Sequence, residues 1–207
     1  MRLTTHTFVT LDGVMQGPGG PTEDPSGGFD QGGWFVPYAS DDPQFGDAIT
    51  GWFKQADAIL LGRHTYEIFA AHWPRMDDPD DPVAHGLNTL PKHVASTTLD
   101  SVDWQNSSLL QGDVVEAIND LKQSGDGELQ VHGSQGLLQT LIRARLVDEY
   151  RVITAPIVLG KGRRLFDDGT VPTALRPTSS STTSTGLRVD VYEPAGEPEL
   201  GSFQLDD

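Results

Sequence analysis

LLGRHTYEIF (residues 60–69) and VHGSQGLLQTL (residues 131–141) are the two stretches that decide the fold of this chain. In each, an apolar run meets glycine where an amphipathic helix should begin. Such a junction predicts a strand followed by a helix whose first backbone N–H groups lie unpaired at its positive end. Two such ends in one sheet suit a dinucleotide with several phosphates. Neither stretch fits GxGxxG or GxxxxGK[ST], and a single strand-glycine-helix turn can simply end a strand.

Strands and helices alternate on both sides of these junctions. Apolar and β-branched periodicity predicts strands at residues 2–11, 58–61, 93–96, 128–132 and 149–157, and helices at 43–55, 65–72, 113–123 and 135–145. Residues 173–185 and 187–192 predict two antiparallel strands joined near Gly186. The order predicts an α/β sandwich with an antiparallel edge. Residues 17–33, dense in glycine and proline, predict a loop that covers a ligand.

Length and composition bound the class of protein. A chain of 207 residues is expected to form one domain with a sizeable core. The sequence has no cysteine, which excludes disulfides, cysteine zinc sites and a thiol nucleophile, and fits a reducing compartment. The histidines form no compact ligand pattern, so we expect no metal site. No signal-peptide or membrane-spanning run is present, and we expect a cytoplasmic protein without a membrane partner.

The charge distribution bears on the partners. A formal net charge of -16 argues against nucleic acid, because a phosphate backbone needs a clustered basic face. Six basic residues nevertheless fall between residues 143 and 164: Arg143, Arg145, Arg151, Lys161, Arg163 and Arg164. They could hold a small phosphorylated ligand, or lie on solvated faces paired with acids, and the sequence leaves both readings open. The acidic stretch 77–81 and the acidic tail are expected to serve solubility.

Five stretches in a fixed order carry a family resemblance. They are TLDGVMQGPG (10–19), ADAILLGRHTYEIFAAHWP (56–74), KHVASTTL (92–99), LQVHGSQGLLQTLIRARLVDEYRVITAPIVLGKGRRLF (129–166) and STGLRVDVYEP (184–194). Together they resemble the dihydrofolate-reductase-like superfamily, specifically the C-terminal reductase domain of the riboflavin-biosynthesis deaminase-reductase and its stand-alone relatives. The resemblance covers nearly everything except the loops and the acidic tail.

The resemblance implies a fold, a cofactor and an assembly. The expected fold is a three-layer α/β/α sandwich with a mostly parallel, twisted central sheet and a C-terminal antiparallel hairpin. Residues 1–194 would form a single NADPH-binding domain and residues 195–207 an acidic tail. Relatives are usually homodimers.

Two departures limit the transfer. Without cysteine the zinc deaminase signature cannot exist, so the deaminase activity is absent. The helix that carries the substrate-gripping acid in dihydrofolate reductases offers only Asp47, near its start and in unmatched sequence. We therefore do not expect a folate enzyme.

The two junctions supply the predicted cofactor residues. By resemblance, cofactor phosphates would be held by Gly62, Arg63, Thr65, Ser96 and Thr97. Thr65 could also be a helix N-cap, and Ser96 with Thr97 could form only a strand-ending turn. Small side chains at Gly133, Ser134, Gln135 and Gly136 would let a pyrophosphate or nicotinamide ribose pack on the backbone.

A second set is expected at the mouth where nicotinamide and substrate meet. Asp12 could orient or protonate the substrate, or could be a turn aspartate. Gln16, Trp34, Pro156 and Gly160 could line the same mouth, and Trp34 could equally be loop core.

These observations predict an NADPH-dependent reductase that delivers hydride to a small heterocyclic substrate. In the riboflavin pathway the substrate would be 5-amino-6-(5-phosphoribosylamino)uracil, and a basic pair gripping phosphate near residues 161–164 would favour it. One alternative is a reductase of a different substrate, with residues 17–33 reshaping the pocket. The other is a catalytically silent NADPH-binding sensor.

Overall fold

A computed structural model describes residues 1–76, 78 and 80–203. Its strands are β1 (Arg2–Thr10), β2 (Ala56–Gly62), β3 (Lys92–Ala95), β4 (Ser107–Leu109), β5 (Glu128–Val131), β6 (Glu149–Ala155), β7 (Leu175–Thr182) and β8 (Arg188–Pro194). Its α-helices are α1 (Val36–Ala39), α2 (Pro43–Phe53), α3 (Arg63–His72), α4 (Pro82–Thr89), α5 (Val114–Gln123) and α6 (Gln135–Arg143). Residues 77 and 79 of the acidic stretch and residues 204–207 of the tail lie outside the described residues.

The strands form one mostly parallel sheet between two helical layers. The strand order is β4-β3-β2-β5-β1-β6-β8-β7. The first six strands of this order run parallel, β8 runs antiparallel to β6, and β7 runs antiparallel to β8. Side chains of α2, α3 and α4 belong to the core on one face, and side chains of α5 and α6 to the core on the other. The predicted α/β/α sandwich with a C-terminal hairpin is confirmed.

The helix starts follow local capping chemistry. The side chains of Asp42, Asp81 and Asp113 accept hydrogen bonds from first-turn N–H groups of α2, α4 and α5. By contrast, α3 begins at Arg63 with Gly62 at its N-cap position, two residues before the predicted start. Thr65 therefore lies inside the helix, and the reading of Thr65 as an N-cap is wrong.

Three elements were absent from the sequence expectations, and one of them is helix α1, which is only four residues long. Helix α4 is only eight residues long, and its start signal, Asp81 followed by Pro82, resembles a turn. Strand β4 is a three-residue edge strand, too short for a period-2 pattern. Among the described residues, the helices are all too short or too polar to cross a bilayer.

A row of polar side chains crosses the centre of the sheet beneath α2. Adjacent strands β5, β1 and β6 place Glu128, Gln130, His6, Glu149 and Arg151 among the buried residues. The register sets His6 directly beside Arg151. The row alternates with apolar residues that face α5 and α6, as the pleat of a strand requires.

Arg151 holds this row together. Arg151 is 2% exposed, and its guanidinium has acceptors for all five N–H groups. Nε donates to Glu149 Oε1 at 2.6 Å, and Nη1 and Nη2 donate to the two oxygens of Glu128 at 2.9 and 2.8 Å. The remaining donors reach His6 Nε2 at 3.1 Å and Gln55 Oε1 at 3.2 Å. The charge is therefore buried with its hydrogen-bonding capacity satisfied.

Replacing Arg151 by leucine should lower the free energy of unfolding by about 3–5 kcal/mol, because two buried carboxylates lose their partner. Urea denaturation at pH 7 measures the loss. Arg2→Leu is the matched control: it removes an arginine with a 43% exposed side chain that pairs with Glu149 and Glu193, and should cost below about 1 kcal/mol. Equal small losses in both variants would contradict the assignment of Arg151 as the organising charge.

Candidate cofactor and substrate site

A large cavity opens where the carboxyl ends of the central strands meet the helix starts. Its volume is about 1430 Å³, beyond the roughly 300–1,000 Å³ of an ordinary small-ligand site. Parts of β1 and α2, residues 15–20 and 22–24, the start of α3, residues 95–98 and the start of α6 contribute to its walls. Ligands of open α/β sheets bind at this edge.

The two glycine junctions meet inside the cavity. A Cβ on Gly62 would overlap the side chain of Ser134, and a Cβ on Gly133, whose φ is +66°, would lie 2.7 Å from Thr65 Oγ1. A larger residue at position 62 would displace the Ser134 side chain, and one at position 133 would also be strained by the left-handed φ. The first turns of α3 and α6, whose N–H groups have no intrahelical partner, consequently lie side by side. Two positive helix ends thus face one cavity.

Arg63 links the first junction to the loop after β3. Its guanidinium pairs with Glu67 Oε1 through Nε at 2.8 Å and contacts Thr98 Oγ1 through Nη1. Ser96 Oγ accepts hydrogen bonds from the N–H groups of Thr98 and Leu99 at 3.1 and 3.0 Å, which forms the strand-ending turn. A half-exposed cation and a polar turn therefore stand together at this end of the cavity.

All nine residues predicted to bind the cofactor line this cavity: Gly62, Arg63, Thr65, Ser96, Thr97, Gly133, Ser134, Gln135 and Gly136. The structure brings them together from three separate segments. The residues present fit a dinucleotide, because the site combines two helix N-termini, a cation and backbone free of Cβ atoms. Their individual roles in binding remain predictions.

Asp12 does not line the cavity. Its carboxylate accepts hydrogen bonds from Thr10 Oγ1 at 2.6 Å and from the N–H groups of Leu159 and Gly160 at 3.2 and 2.8 Å. Burial acts to raise its pKa, but these hydrogen bonds outweigh burial and lower the pKa of Asp12 to about 2. A carboxylate so engaged is a turn anchor, and we remove Asp12 from the candidate catalytic residues.

Of the residues predicted to contact substrate, some line the cavity and others do not. Pro156 and Gly160 are exposed outside the cavity, and Trp34 is buried in the loop core, where its Nε1 donates to Gln16 O at 2.8 Å. Gln16 does line the cavity, but its amide is used internally. Its Nε2 donates to Asp24 O and Ser26 O, and its Oε1 accepts from Arg163 N. Gln16 thus anchors the covering loop.

The covering loop is fastened by Asp24. This carboxylate is buried, accepts from Arg163 Nη2 and lies 3.3 Å from His64 Nε2 of α3. The neighbouring Glu23 lines the cavity, and its burial raises the pKa of its carboxyl above the ordinary value. The first part of the loop at residues 17–33 therefore brings a carboxyl group to the cavity wall.

Two histidines at the cavity wall were missed in the sequence. His6 on β1 and His132 just after β5 have ring centroids 4.6 Å apart, and both line the cavity. Burial, together with the nearby His132 and Arg151, lowers the pKa of His6 well below its ordinary value. Burial and the charge of Arg151 lower the pKa of His132 to about 3. Both rings are therefore neutral at pH 7.

A signal for these residues was present in the sequence. Polar residues recur at every second position in strands otherwise apolar enough to be central: Thr4 and His6, Glu128, Gln130 and His132, and Glu149 and Arg151. Period-2 polarity within a buried strand indicates a polar network on one face of the sheet. Metal-ligand spacing was the wrong test for these histidines, because they share a site across strands.

Lowering the pH from 7 to 5 should destabilise the protein by about 2 kcal/mol for each of these histidines. The unfolded chain takes up protons below its ordinary histidine pKa of about 6.5, whereas the folded rings do not, so stability falls as the pH drops. Urea denaturation at several pH values measures the slope. In His132→Gln the slope of the free energy of unfolding against pH should fall by the equivalent of about one proton, because the other titrating groups are common to both proteins. An unchanged slope would contradict the lowered pKa of His132.

The basic residues between 143 and 164 are dispersed. Arg145 pairs with Glu197, Lys161 with Asp30, Arg163 with Asp24 and Arg164 with Asp12, while Arg151 is buried in the sheet. Four of the six are therefore paired with acids on solvated faces, and Arg151 is paired with acids but buried. Across the part of the chain that the structure describes, no three His, Asp or Glu side chains come together as metal ligands would.

Comparison with known proteins identifies the family to which this chain belongs. Residues 2–189 match the family described as the RibD C-terminal domain. The chain belongs to the RibD C-terminal domain family. It is 29% identical, over 92% of its length and 94% of the relative's, to the uncharacterized protein YyaP of Bacillus subtilis strain 168.

Solved structures share the dihydrofolate-reductase-like fold. A diaminohydroxyphosphoribosylaminopyrimidine deaminase/5-amino-6-(5-phosphoribosylamino)uracil reductase from Thermotoga maritima aligns with a TM-score of 0.61 and 12% identity, over 94% of this chain and 56% of that one. Dihydrofolate reductase from Enterococcus faecalis, complexed with NADP(H) and RAB-propyl, aligns with a TM-score of 0.54 and 14% identity, over 93% and 96%. At these identities the likeness shows the fold alone.

Proposed function

We propose that this RibD C-terminal domain protein is an NADPH-dependent reductase that transfers hydride to an electrophilic carbon of a small heterocyclic substrate. The observation that carries the proposal is the meeting of two glycine-bearing helix N-termini and Arg63 in one cavity large enough for a dinucleotide and a second molecule. Family membership supports a reductase, and the NADP(H) complex of a protein with the same fold supports the cofactor.

The chain's own contribution is binding, orientation and exclusion of water. NADPH, when bound, supplies the hydride. The helix ends and Arg63 hold phosphates, and the small residues 133–136 admit the ribose and ring to the backbone. Phe45, Ile49 and Phe53 of α2 form an apolar wall on the substrate side, and the loop at residues 17–33 covers it. Orientation in a dry pocket accounts for much of the rate in such a reaction.

The paired basic residues favour a substrate other than a phosphoribosylamino pyrimidine. Lys161, Arg163 and Arg164 each already face a carboxylate, so the phosphate of the riboflavin-pathway substrate would have to compete with those carboxylates for them. A reductase of a different, unphosphorylated heterocycle therefore fits the site better. Homodimerisation and a cytoplasmic location stay predictions.

Titration of the purified protein with NADPH and NADH, followed by nucleotide fluorescence and melting temperature, tests the cofactor. Saturable binding with NADPH preferred supports the proposal, and binding of neither nucleotide would refute it. Oxidation of NADPH is then measured with carbonyl and imine heterocycles, with and without phosphate. Binding without any turnover across this panel would favour the silent sensor instead.

Arg63→Ala should weaken NADPH binding about tenfold, with a smaller effect on NADH, since the half-exposed guanidinium is placed to meet phosphate. The same fluorescence titration measures it. Arg176→Ala is the matched control, because Arg176 forms an exposed ion pair with Glu193 on the terminal hairpin. Equal losses in both variants, or none in either, would argue against Arg63 as a phosphate ligand.

Glu23→Gln should lower kcat about tenfold or more while leaving NADPH affinity unchanged. Two described residues of the cavity wall, Glu23 and Asp24, have a carboxyl group with a shifted pKa. Of these, Glu23 is better suited to donate a proton, because burial raises its pKa. The pH profile of kcat in wild type and variant is the measurement. If the profile keeps its acidic limb in the variant, the proton comes from elsewhere.

A further inference from the structure

One ring nitrogen in the cavity wall has a fixed hydrogen-bonding role that the cofactor site does not use. Gln130 Nε2 donates to Trp52 O at 2.7 Å and to Glu128 Oε1, and a carbonyl and a carboxylate can only accept. The amide orientation of Gln130 is thereby set, and its Oε1 lies 3.2 Å from His132 Nε2. His132 must therefore carry its proton on Nε2, which leaves a lone pair on Nδ1.

This Nδ1 lone pair is open to a ligand. Among the described residues Nδ1 of His132 has no hydrogen-bond partner, yet it is not one of the sealed, unsatisfied atoms, as His6 Nδ1 is. His132 lines the cavity. The accessible face of this nitrogen therefore meets cavity space rather than protein.

The ring is held rigidly in place. Phe53 stacks on the His132 ring with centroids 5.0 Å apart and planes inclined by 25°, and the His6 ring lies beside it with centroids 4.6 Å apart. Glu128, which orders Gln130, is itself clamped by Arg151. The acceptor is thus preorganised by a chain of hydrogen bonds that begins at the buried guanidinium.

The surrounding wall favours a neutral partner. The cavity face of α2 is formed by Phe45, Ile49 and Phe53, while Asp47 is exposed and outside the wall. The carboxylates of Glu128 and Glu149 are taken up by Arg151. A ligand at this place meets aromatic surface and a neutral acceptor, and no free charge from α2 or from the Arg151 network.

We propose that His132 is a specificity-determining residue whose Nδ1 accepts a hydrogen bond from an N–H or O–H group of a neutral, planar molecule held in the substrate part of the cavity. Gln130 acts as a positioning residue through the tautomer of His132. The inference rests on the proposed function for the claim that the bound molecule is a substrate. The hydrogen bond itself can be tested without turnover.

The first test is the tautomer of His132, read from the ring ¹⁵N shifts and long-range proton couplings of histidine-labelled wild-type protein. We expect a single Nε2–H tautomer at pH 7. Gln130→Leu should release it to a mixture of tautomers, a change that a purely structural role for Gln130 would not produce. A wild-type ring protonated at Nδ1, or a doubly protonated ring at pH 7, would overturn the proposal without any variant.

The second test is a pair of probes, 2-pyridone and N-methyl-2-pyridone, which differ in one N–H donor. Wild type should bind 2-pyridone about five- to tenfold more tightly, the range of one hydrogen bond plus the steric cost of the methyl group. In His132→Gln the new side chain can still contact the Gln130 amide but has no acceptor atom where Nδ1 lies in wild type. The preference for 2-pyridone should therefore fall to the part caused by the steric effect of the methyl group. His132→Asn keeps an oxygen at that position and should retain more of it.

His93→Gln is the matched control, since His93 is a partly buried histidine on β3 outside the cavity wall, and it should keep the wild-type ratio. An unchanged ratio in His132→Gln would overturn the proposal. NADPH titration of the same proteins separates the two claims. If the probe ratio depends on His132 but the protein does not bind NADPH, only the proposed function is refuted. If the protein binds NADPH but wild type shows no preference between the probes, only this inference is refuted.

Discussion

The guanidinium of Arg151 is the constraint on which the centre of this protein depends. A charge at 2% exposure is tolerated only when its donors are met, and the acceptors come from β5, β6, β1 and the end of α2. A one-residue slip of any of these strands would turn its polar side chains to the opposite face. The network therefore specifies both the register of three strands and the position of α2 on the sheet.

The same network reaches the candidate site. Glu128, clamped by Arg151, orders Gln130, and Gln130 orders His132 at the cavity wall. His6 receives a hydrogen bond from Arg151 and lies against His132. The polar core and the side of the cavity proposed for the substrate are thus one hydrogen-bonded unit, while the side proposed for the cofactor is built from helix ends and glycine backbone.

Much of the fold could be predicted because its signals are local. Strand and helix periodicity, the Asp113 cap and the two glycine junctions each lie within about ten residues, and the structure reproduces them with shifts of a few residues at the ends. Helices α1 and α4 and strand β4 were not predicted because they are short. Asp12 and Trp34 were misplaced because both suit a turn or loop core as well as a site, and only their partners distinguish the two.

The sequence by itself determined the order of elements, the family and the residues that gather at the two junctions, since these depend on neighbours along the chain. Only the tertiary structure decided that Gly62 and Ser134 touch, that the basic residues near 161–164 are already paired, and that His132 Nδ1 finds no hydrogen-bond partner among the described residues. Those facts depend on which strands lie side by side and which face each side chain takes. Contacts between residues far apart in sequence are properties of the packed sheet.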